Sequence, residues 1–245
     1  MRARAAVAGE RGAKRARISI VVPVLNEAST IDALQDQLDA IDLARERCEV
    51  IFVDGGSTDG TRERVRAPYR LIDQQGCGRG GALNTGARAA SGDVLFFLHC
   101  DSVLPARALD EIRRVLETHR AGAFGIRFDK ATPVLVACQT MSNLRVRFRH
   151  ISYGDQGLFI ERALFFGIGG FPDVPIMEDF HFARMLKDSG VRLGMTRHRI
   201  VTSARRFPEG EMNRARTWAN MARLRARYVK GASPEALFEA YGNVR

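Results

Sequence analysis

The feature that most constrains this chain is the unbroken apolar run Val94 to Leu98, closed at once by His99, Cys100 and Asp101. A run of this length with β-branched and aromatic members suits a strand buried on both faces of a parallel sheet. Polar residues directly after such a strand lie at its C-terminal edge, where open α/β sheets bind their ligands. A carboxylate there can hold a hard divalent cation, which in turn holds phosphate oxygens. It can equally begin the turn into the next helix, since Ser102 and Pro105 follow and Asp is a common turn residue.

The same grammar recurs along the chain. Ile18 to Val24 predicts a strand ending near Pro23, followed by Asn26 and Glu27 and then by Ile31, Leu34, Leu38 and Ile41 at helical spacing. Glu49 to Val53 predicts a second strand, closed by Asp54 and a turn through Gly55, Gly56, Ser57 and Thr58. Tyr69 to Asp73 is a short third strand. A glycine-rich loop from Gly76 to Gly81 then leads into a helix over Ala82 to Ala90. Beyond the central run, a helix through Leu109 and Val115, a strand Ala123 to Phe128, a helix Pro133 to Arg149 and a strand Leu158 to Ile160 are expected. A short helix, a helix opening at Glu178 and Asp179, and one or two strands over Val191 to Thr202 complete the body. Alternating strands and helices imply an α/β fold with a Rossmann-like, mostly parallel central sheet flanked by helices. The expected organisation is a disordered basic tail over 1–17, a body over 18–205 and a C-terminal helical extension over 206–245 that packs on it.

Several residues carry two readings. Glu27 is either a first-turn acid complementing a helix dipole or a ligand contact. Asp54 can accept hydrogen bonds from a base N–H or a ribose hydroxyl. Gly76, Gly78 and Gly81 spell GxGxxG, with Asp101 near the spacing of a dinucleotide fingerprint. The strand before that loop is short, however, and two strand–helix units already precede it. The same glycines, with Arg79 and Gly80, can instead cradle a pyrophosphate. Glu178 and Asp179 either complement a helix start or supply a general base.

The net charge of +10 has a location. Residues 1–17 hold six basic side chains against one acid, and 212–230 hold six with none, so the body between is near neutral. That is a poor match to a groove-binding body with a continuous basic stripe, and no nucleic-acid partner is expected. The basic C-terminal helix, with Trp218, Met221, Leu224 and Tyr228 on one face, either lies on a membrane surface or docks Trp218 and Leu224 on the body. No apolar run approaches the ~20 residues that span a bilayer, and the N-terminus lacks the apolar segment of a secretory signal. Cys48, Cys77, Cys100 and Cys138 stand apart, as reduced thiols do. The expected location is cytoplasmic, with a peripheral contact at the inner membrane face.

Taken in order, Pro23 to Glu27, Asp54 to Thr61, Gly80 to Gly86, the strand ending at Asp101, and Glu178-Asp179 resemble the family 2 glycosyltransferases of GT-A fold. The resemblance covers about residues 18–205. It implies a nucleoside-diphosphate sugar donor, linked to UDP or GDP, and an acceptor hydroxyl whose identity it leaves open. Pro23, Asn26, Glu27 and Asp54 would line the nucleotide pocket, with Asp54 facing the base. Arg79 and Gly80 would approach the diphosphate or ribose. Asp101 matches the last acid of the DxD-like motif and would hold Mn²⁺ or Mg²⁺. Asp179, with Glu178 beside it, matches the catalytic base of inverting members. Arg205 or Arg206 would help the leaving group. The first acid of the DxD pattern is His99 here, and imidazole suits Mn²⁺ better than Mg²⁺. The QxxRW motif of processive members is absent, which argues against a polysaccharide-extruding synthase. Competing readings are a nucleotidyltransferase, a dinucleotide oxidoreductase resting on GxGxxG, and a sugar-nucleotide-binding or membrane-surface module without activity.

Overall fold

Alternation along the strands decides how the layers assemble. In β1 (Ile18–Val24), Ile18, Ile20, Val22 and Val24 point to one apolar cluster and Val21 to another. Side chains of a strand alternate between faces, so a run that is apolar at every position must be covered on both sides. The structure, a computed structural model, describes residues 16–76 and 78–241. Its sheet has seven strands in the order β3-β2-β1-β4-β6-β5-β7. The other strands are β2 (Cys48–Asp54), β3 (Arg70–Asp73), β4 (Val94–Phe97), β5 (Ala121–Phe128), β6 (Phe159–Glu161) and β7 (Leu193–Thr202). β1 runs parallel to β2 and to β4, with Ile18 opposite both Cys48 and Val94. β3 is parallel to β2, and β7 to β5. β6 alone reverses, pairing antiparallel with β4 and β5.

Helices cover both faces. α1 (Ile31–Asp39) and α3 (Ala108–Leu116) bury Ile31, Leu34, Leu38, Leu109 and Ile112 against one face. α2 (Arg79–Ala89), α5 (Arg162–Ile168) and α6 (Glu178–Asp188) cover the other, with Leu83, Phe165 and Phe182 inside. Phe182 and Phe171 stack with ring centroids 4.7 Å apart, and Phe171 meets Phe97 of β4 at 5.0 Å. Each such ring contributes about 1.5–3 kcal/mol by burial, so α6 is fixed to the sheet through its second turn. A third cluster joins the end of β5 to α4 (Pro133–Arg149) through Ile126, Phe128, Leu135 and Cys138.

The last helices are α7 (Glu211–Val229) and α8 (Pro234–Tyr241). α7 docks on the body. Trp218 packs on the third cluster, Leu224 is buried, and Tyr228 meets Phe180 and His181. Trp218, Leu224 and Tyr228 of its aromatic-apolar stripe therefore face protein, the docking alternative of the two readings of that stripe. Among the described residues no helix is long and apolar enough to cross a membrane. Order also begins earlier than expected. Ala16 packs on the first cluster, and Arg17 accepts from the Val94 N–H at 3.1 Å through its carbonyl. The rest of the expected tail lies outside the described residues.

The approach of α2 to the sheet depends on Gly86. A Cβ there would stand 2.3 Å from Val21 Cγ1 and 3.1 Å from Val53 Cγ2, both on stiff β-branched side chains. Gly86→Ala is expected to lower stability by about 1–3 kcal/mol through overpacking. Urea unfolding measures this, and unchanged stability would show that α2 can shift freely on β1.

Candidate active site

β3, β2, β1 and β4 are mutually parallel, so their C-terminal ends share one edge of the sheet. Asn26 and Glu27 follow β1, Asp54 ends β2, and His99 and Asp101 follow β4. Pro23 lies within β1 opposite Val53, where it leads the chain into this edge. The loops after β1 and β2 interlock. Asn26 adopts a left-handed φ of 56°, receives the Thr58 N–H at 2.9 Å on Oδ1, and donates its own N–H to Ser57 Oγ at 2.9 Å. Asp54 is fully buried, and its Oδ2 accepts the N–H groups of Gly56 and Ser57, each at 3.0 Å. Its Oδ1 accepts the Ser57 hydroxyl. Asp54 thus shapes the turn after β2, and its expected contact with a base would be made from this fixed position.

Two arginines organise the remaining acids. Arg205 grips Glu27 with both terminal nitrogens, at 2.6 and 2.9 Å, and reaches Asp101 Oδ2 with Nε at 3.0 Å. Thr30 Oγ1 donates to the same Glu27 at 2.6 Å. Arg79, the first residue of α2, pairs through Nε with Glu178, through one terminal nitrogen with Asp179 at 3.2 Å, and lies 3.3 Å from His99 Nε2 through the other. Gly80 allows this approach, since a Cβ there would stand 2.9 Å from the Pro172 carbonyl oxygen and 3.2 Å from Glu178 Cβ. Asn84 clamps the same loop, donating to the Phe171 carbonyl at 2.8 Å and accepting the Phe171 N–H at 3.0 Å.

Asp179 is held from several sides. Oδ1 accepts the Phe180 N–H at 2.7 Å, and Oδ2 accepts the Gly154 N–H at 2.8 Å. A side chain at Gly154 would collide with this cluster, its Cβ falling 3.0 Å from His99 Nε2 and 3.1 Å from Asp179 Oδ2. Met177, just before α6, is left-handed at φ 68°. A non-glycine residue pays for that conformation with strain that concentrates at functional sites.

Burial holds Glu178 above the usual carboxylate range, with Arg79 pulling it back and Asp179 pushing it further up. Burial also disfavours charge on Arg79, but the two acids outweigh it and keep the guanidinium firmly protonated. His99 is driven well below its ordinary value by burial and by Arg79, Arg206 and Arg205, so its imidazole is neutral. Burial raises Asp101, Arg205 lowers it, and Glu27 raises it again. Between His99 and Asp101, burial pushes the Cys100 thiol up to about 12, which leaves it unreactive at neutral pH.

The expected metal residues separate in role. His99 Nε2 faces Arg79, a cation, which disfavours a metal ion on that nitrogen. Asp101 sits at the strand edge, half-buried and paired with Arg205. It fits as a single carboxylate anchor of the kind Mg²⁺ and Mn²⁺ use together with substrate phosphates. Among the described residues no three His, Cys, Asp or Glu side chains gather into a metal cage.

The sequence reading missed Tyr153, Gly154 and Asp155. Tyr153 and Gly154 line a narrow cavity of about 20 Å³ with Arg79, His99 and Asp179, room for about one water molecule. Asp155 makes no side-chain hydrogen bond or ion pair to another described residue. The charges it feels are Arg145, Asp179, Arg206 and Arg79. The available signal was the run Tyr153 to Gly157, a polar and glycine-rich entry into a buried strand.

The sequence pattern described as glycosyl transferase family 2 matches residues 19–171. The chain is 27% identical over 230 residues to the uncharacterized glycosyltransferase YaiP of Escherichia coli, covering 84% of this chain and 56% of that protein. It is 35% identical over 91 residues to glycosyltransferase AglE of Haloferax volcanii, covering 34% of this chain and 30% of that one. The chain thus spans little more than half, or less, of these curated relatives. Among solved structures, a mannosyltransferase from Pyrobaculum calidifontis, in complex with GDP-Man and Mn²⁺, shares the fold at a TM-score of 0.63 and 24% identity. That likeness covers 98% of this chain and 80% of the other, and it identifies the sheet and helices above as the GT-A fold.

Burial raises Asp155 above the usual carboxylate range, and Arg145 only partly offsets it. Such a group costs the fold nothing below the unfolded carboxylate value and costs most above its own raised value. Asp155→Asn is therefore expected to melt higher than wild type at neutral pH and to match it near ~pH 3. Each kcal/mol gained would read as about 2–4 °C. A variant that melts lower at neutral pH would show that Asp155 is stabilised as an anion.

Proposed function

The chain belongs to the family 2 glycosyltransferases, and from that premise we propose that it moves a sugar from a nucleoside-diphosphate sugar to an acceptor hydroxyl with inversion at the anomeric carbon. The observation that carries this reading is the Asp179 carboxylate. It stands at the head of α6, held by the Gly154 N–H and by Arg79, in one cluster with His99 from the sheet edge. A general base needs a fixed carboxylate within reach of the proton it removes. Asp179 is fixed in this way, with Arg79 and two backbone N–H groups setting its direction.

In the proposed step the acceptor oxygen attacks the anomeric carbon as Asp179 takes its proton. The bond from that carbon to the diphosphate oxygen breaks on the opposite side, and its electrons leave with the nucleoside diphosphate. Arg205, already at the edge beside Glu27 and Asp101, and its neighbour Arg206 stabilise the growing negative charge. A divalent ion held by Asp101 and the diphosphate would supply further Lewis-acid stabilisation of the leaving group. The Pyrobaculum mannosyltransferase with GDP-Man and Mn²⁺ supports a nucleotide-sugar donor and such an ion for this fold. Glu178 acts through Arg79, which it locks in place, and His99 as a neutral neighbour of the same guanidinium.

Asp179→Asn is expected to lower transfer by at least ~10²-fold, the lower end of general-base catalysis, while donor affinity stays within about twofold. Single-turnover transfer and donor calorimetry on the same preparation separate the two. Unchanged transfer would remove Asp179 from the role.

A further inference from the structure

α7 packs near this site through Tyr228, and one of its half-buried arginines, Arg225, stacks on the ring of Tyr153. Tyr228 bonds through its hydroxyl to His181 Nδ1, and its ring lies 5.8 Å from Phe180, the residue after Asp179. Phe180 in turn meets Tyr153 at 5.8 Å. The Tyr153 ring carries two guanidiniums, Arg145 at 3.4 Å and Arg225 at 5.1 Å from its centroid. Tyr153 is therefore not an open platform for a sugar face, because cations stack on it.

The two arginines differ in what their N–H groups do. Arg145 is half-buried on α4 and donates to the Ile151 carbonyl at 3.2 Å and to Gln156 Oε1 at 2.9 Å. Arg225 makes no hydrogen bond or ion pair with any described residue, although it too is half-buried. Stacking restrains a guanidinium while leaving the donors around its rim free, and that planar fork matches the paired oxygens of phosphate or carboxylate. The place matters as well. The residue after Tyr153 is Gly154, whose N–H holds Asp179. Tyr153 also lines the cavity that Arg79, His99 and Asp179 share, so Arg225 stacks on a wall of that cavity, while Arg205 is engaged with Glu27 and Asp101.

Resting on the glycosyltransferase reading above, we infer that Arg225 recognises an oxyanion on the acceptor, so that the acceptor carries a phosphate or carboxylate near the hydroxyl that receives the sugar. Tyr153 and Tyr228 hold this subsite together, the first by stacking and the second by fixing α7 to α6. The C-terminal helix is then part of the substrate site and not only a brace. Neutral acceptors of the same shape leave the Arg225 donors unmatched and bind more weakly.

The test is a phosphorus NMR titration of the full chain with inorganic phosphate, and a parallel calorimetric titration with acetate. Both are run with saturating UDP or GDP, so that the donor's own diphosphate pocket is filled. Wild type is expected to bind the anion. Arg225→Gln is expected to weaken it about ten- to a hundredfold, the range for hydrogen bonds to a charged group. Arg225→Lys, which keeps the charge without the fork, should fall between. Arg216→Gln, an exposed arginine of the same helix, should bind as wild type does, which separates a specific contact from general basicity. Equal anion binding by wild type and Arg225→Gln, or no anion binding by wild type, overturns the inference. If neither UDP nor GDP binds, the donor reading fails separately, and the difference between wild type and Arg225→Gln on the nucleotide-free chain still decides the role of Arg225.

Discussion

Glu178 and Asp179 are neighbours in sequence, and two carboxylates side by side at a partly buried helix start repel each other unless a cation stands between them. Arg79 is that cation. It comes from the start of another helix, 99 and 100 residues away in sequence, and it also meets the neutral His99 at the end of the central strand. One guanidinium therefore ties α2, α6 and β4 together at the place where the proposed chemistry occurs. Removing one partner of such a group leaves uncompensated charge in a poorly solvated place, which costs more than the pair itself contributes. The glycines around it follow from this arrangement, since side chains at positions 80 and 154 would occupy the space that Arg79, Glu178 and Asp179 share.

The edge of the sheet repeats the same device with Arg205, Glu27 and Asp101. Four acids are thus distributed between two arginines, and the paired groups keep a net negative balance at the edge. A divalent ion entering with a diphosphate would meet Asp101 at this edge, beside Arg205. Met177, just before α6, is left-handed without being glycine or asparagine. Phe97, Phe171 and Phe182 pack together beneath the site. Aromatic packing below and closely spaced acids above are what a site selected for binding, and not for stability alone, is expected to show.

Much of this was legible from the residues. The continuous apolar runs of β1, β2 and β4 required a sheet covered on both faces, and the carboxylates after them come together at one edge of it. The helical spacing of Ile31, Leu34 and Leu38 placed α1 correctly. What stayed hidden was long-range choice. Nothing local says that Arg79 turns to Glu178 and Asp179, or that Arg205 reaches back to Glu27 across 178 positions. Asp54 looked open because its neighbours in the turn are small, yet those neighbours supply the N–H groups that occupy it. β6 is too short at three residues to show its antiparallel direction in sequence. The basic helix α7 left two readings open, since only contacts with Phe180, His181 and Tyr153 from distant segments show where its tyrosine and Arg225 point.

The most direct measurement is calorimetric titration of the full chain with a panel of UDP- and GDP-linked sugars, with and without Mn²⁺. The account predicts that at least one donor binds, more tightly with the ion, and that Asp101→Ala removes the gain from the ion. Absence of binding by every donor, under either condition, would contradict the assignment of this sheet edge as a nucleotide-sugar site.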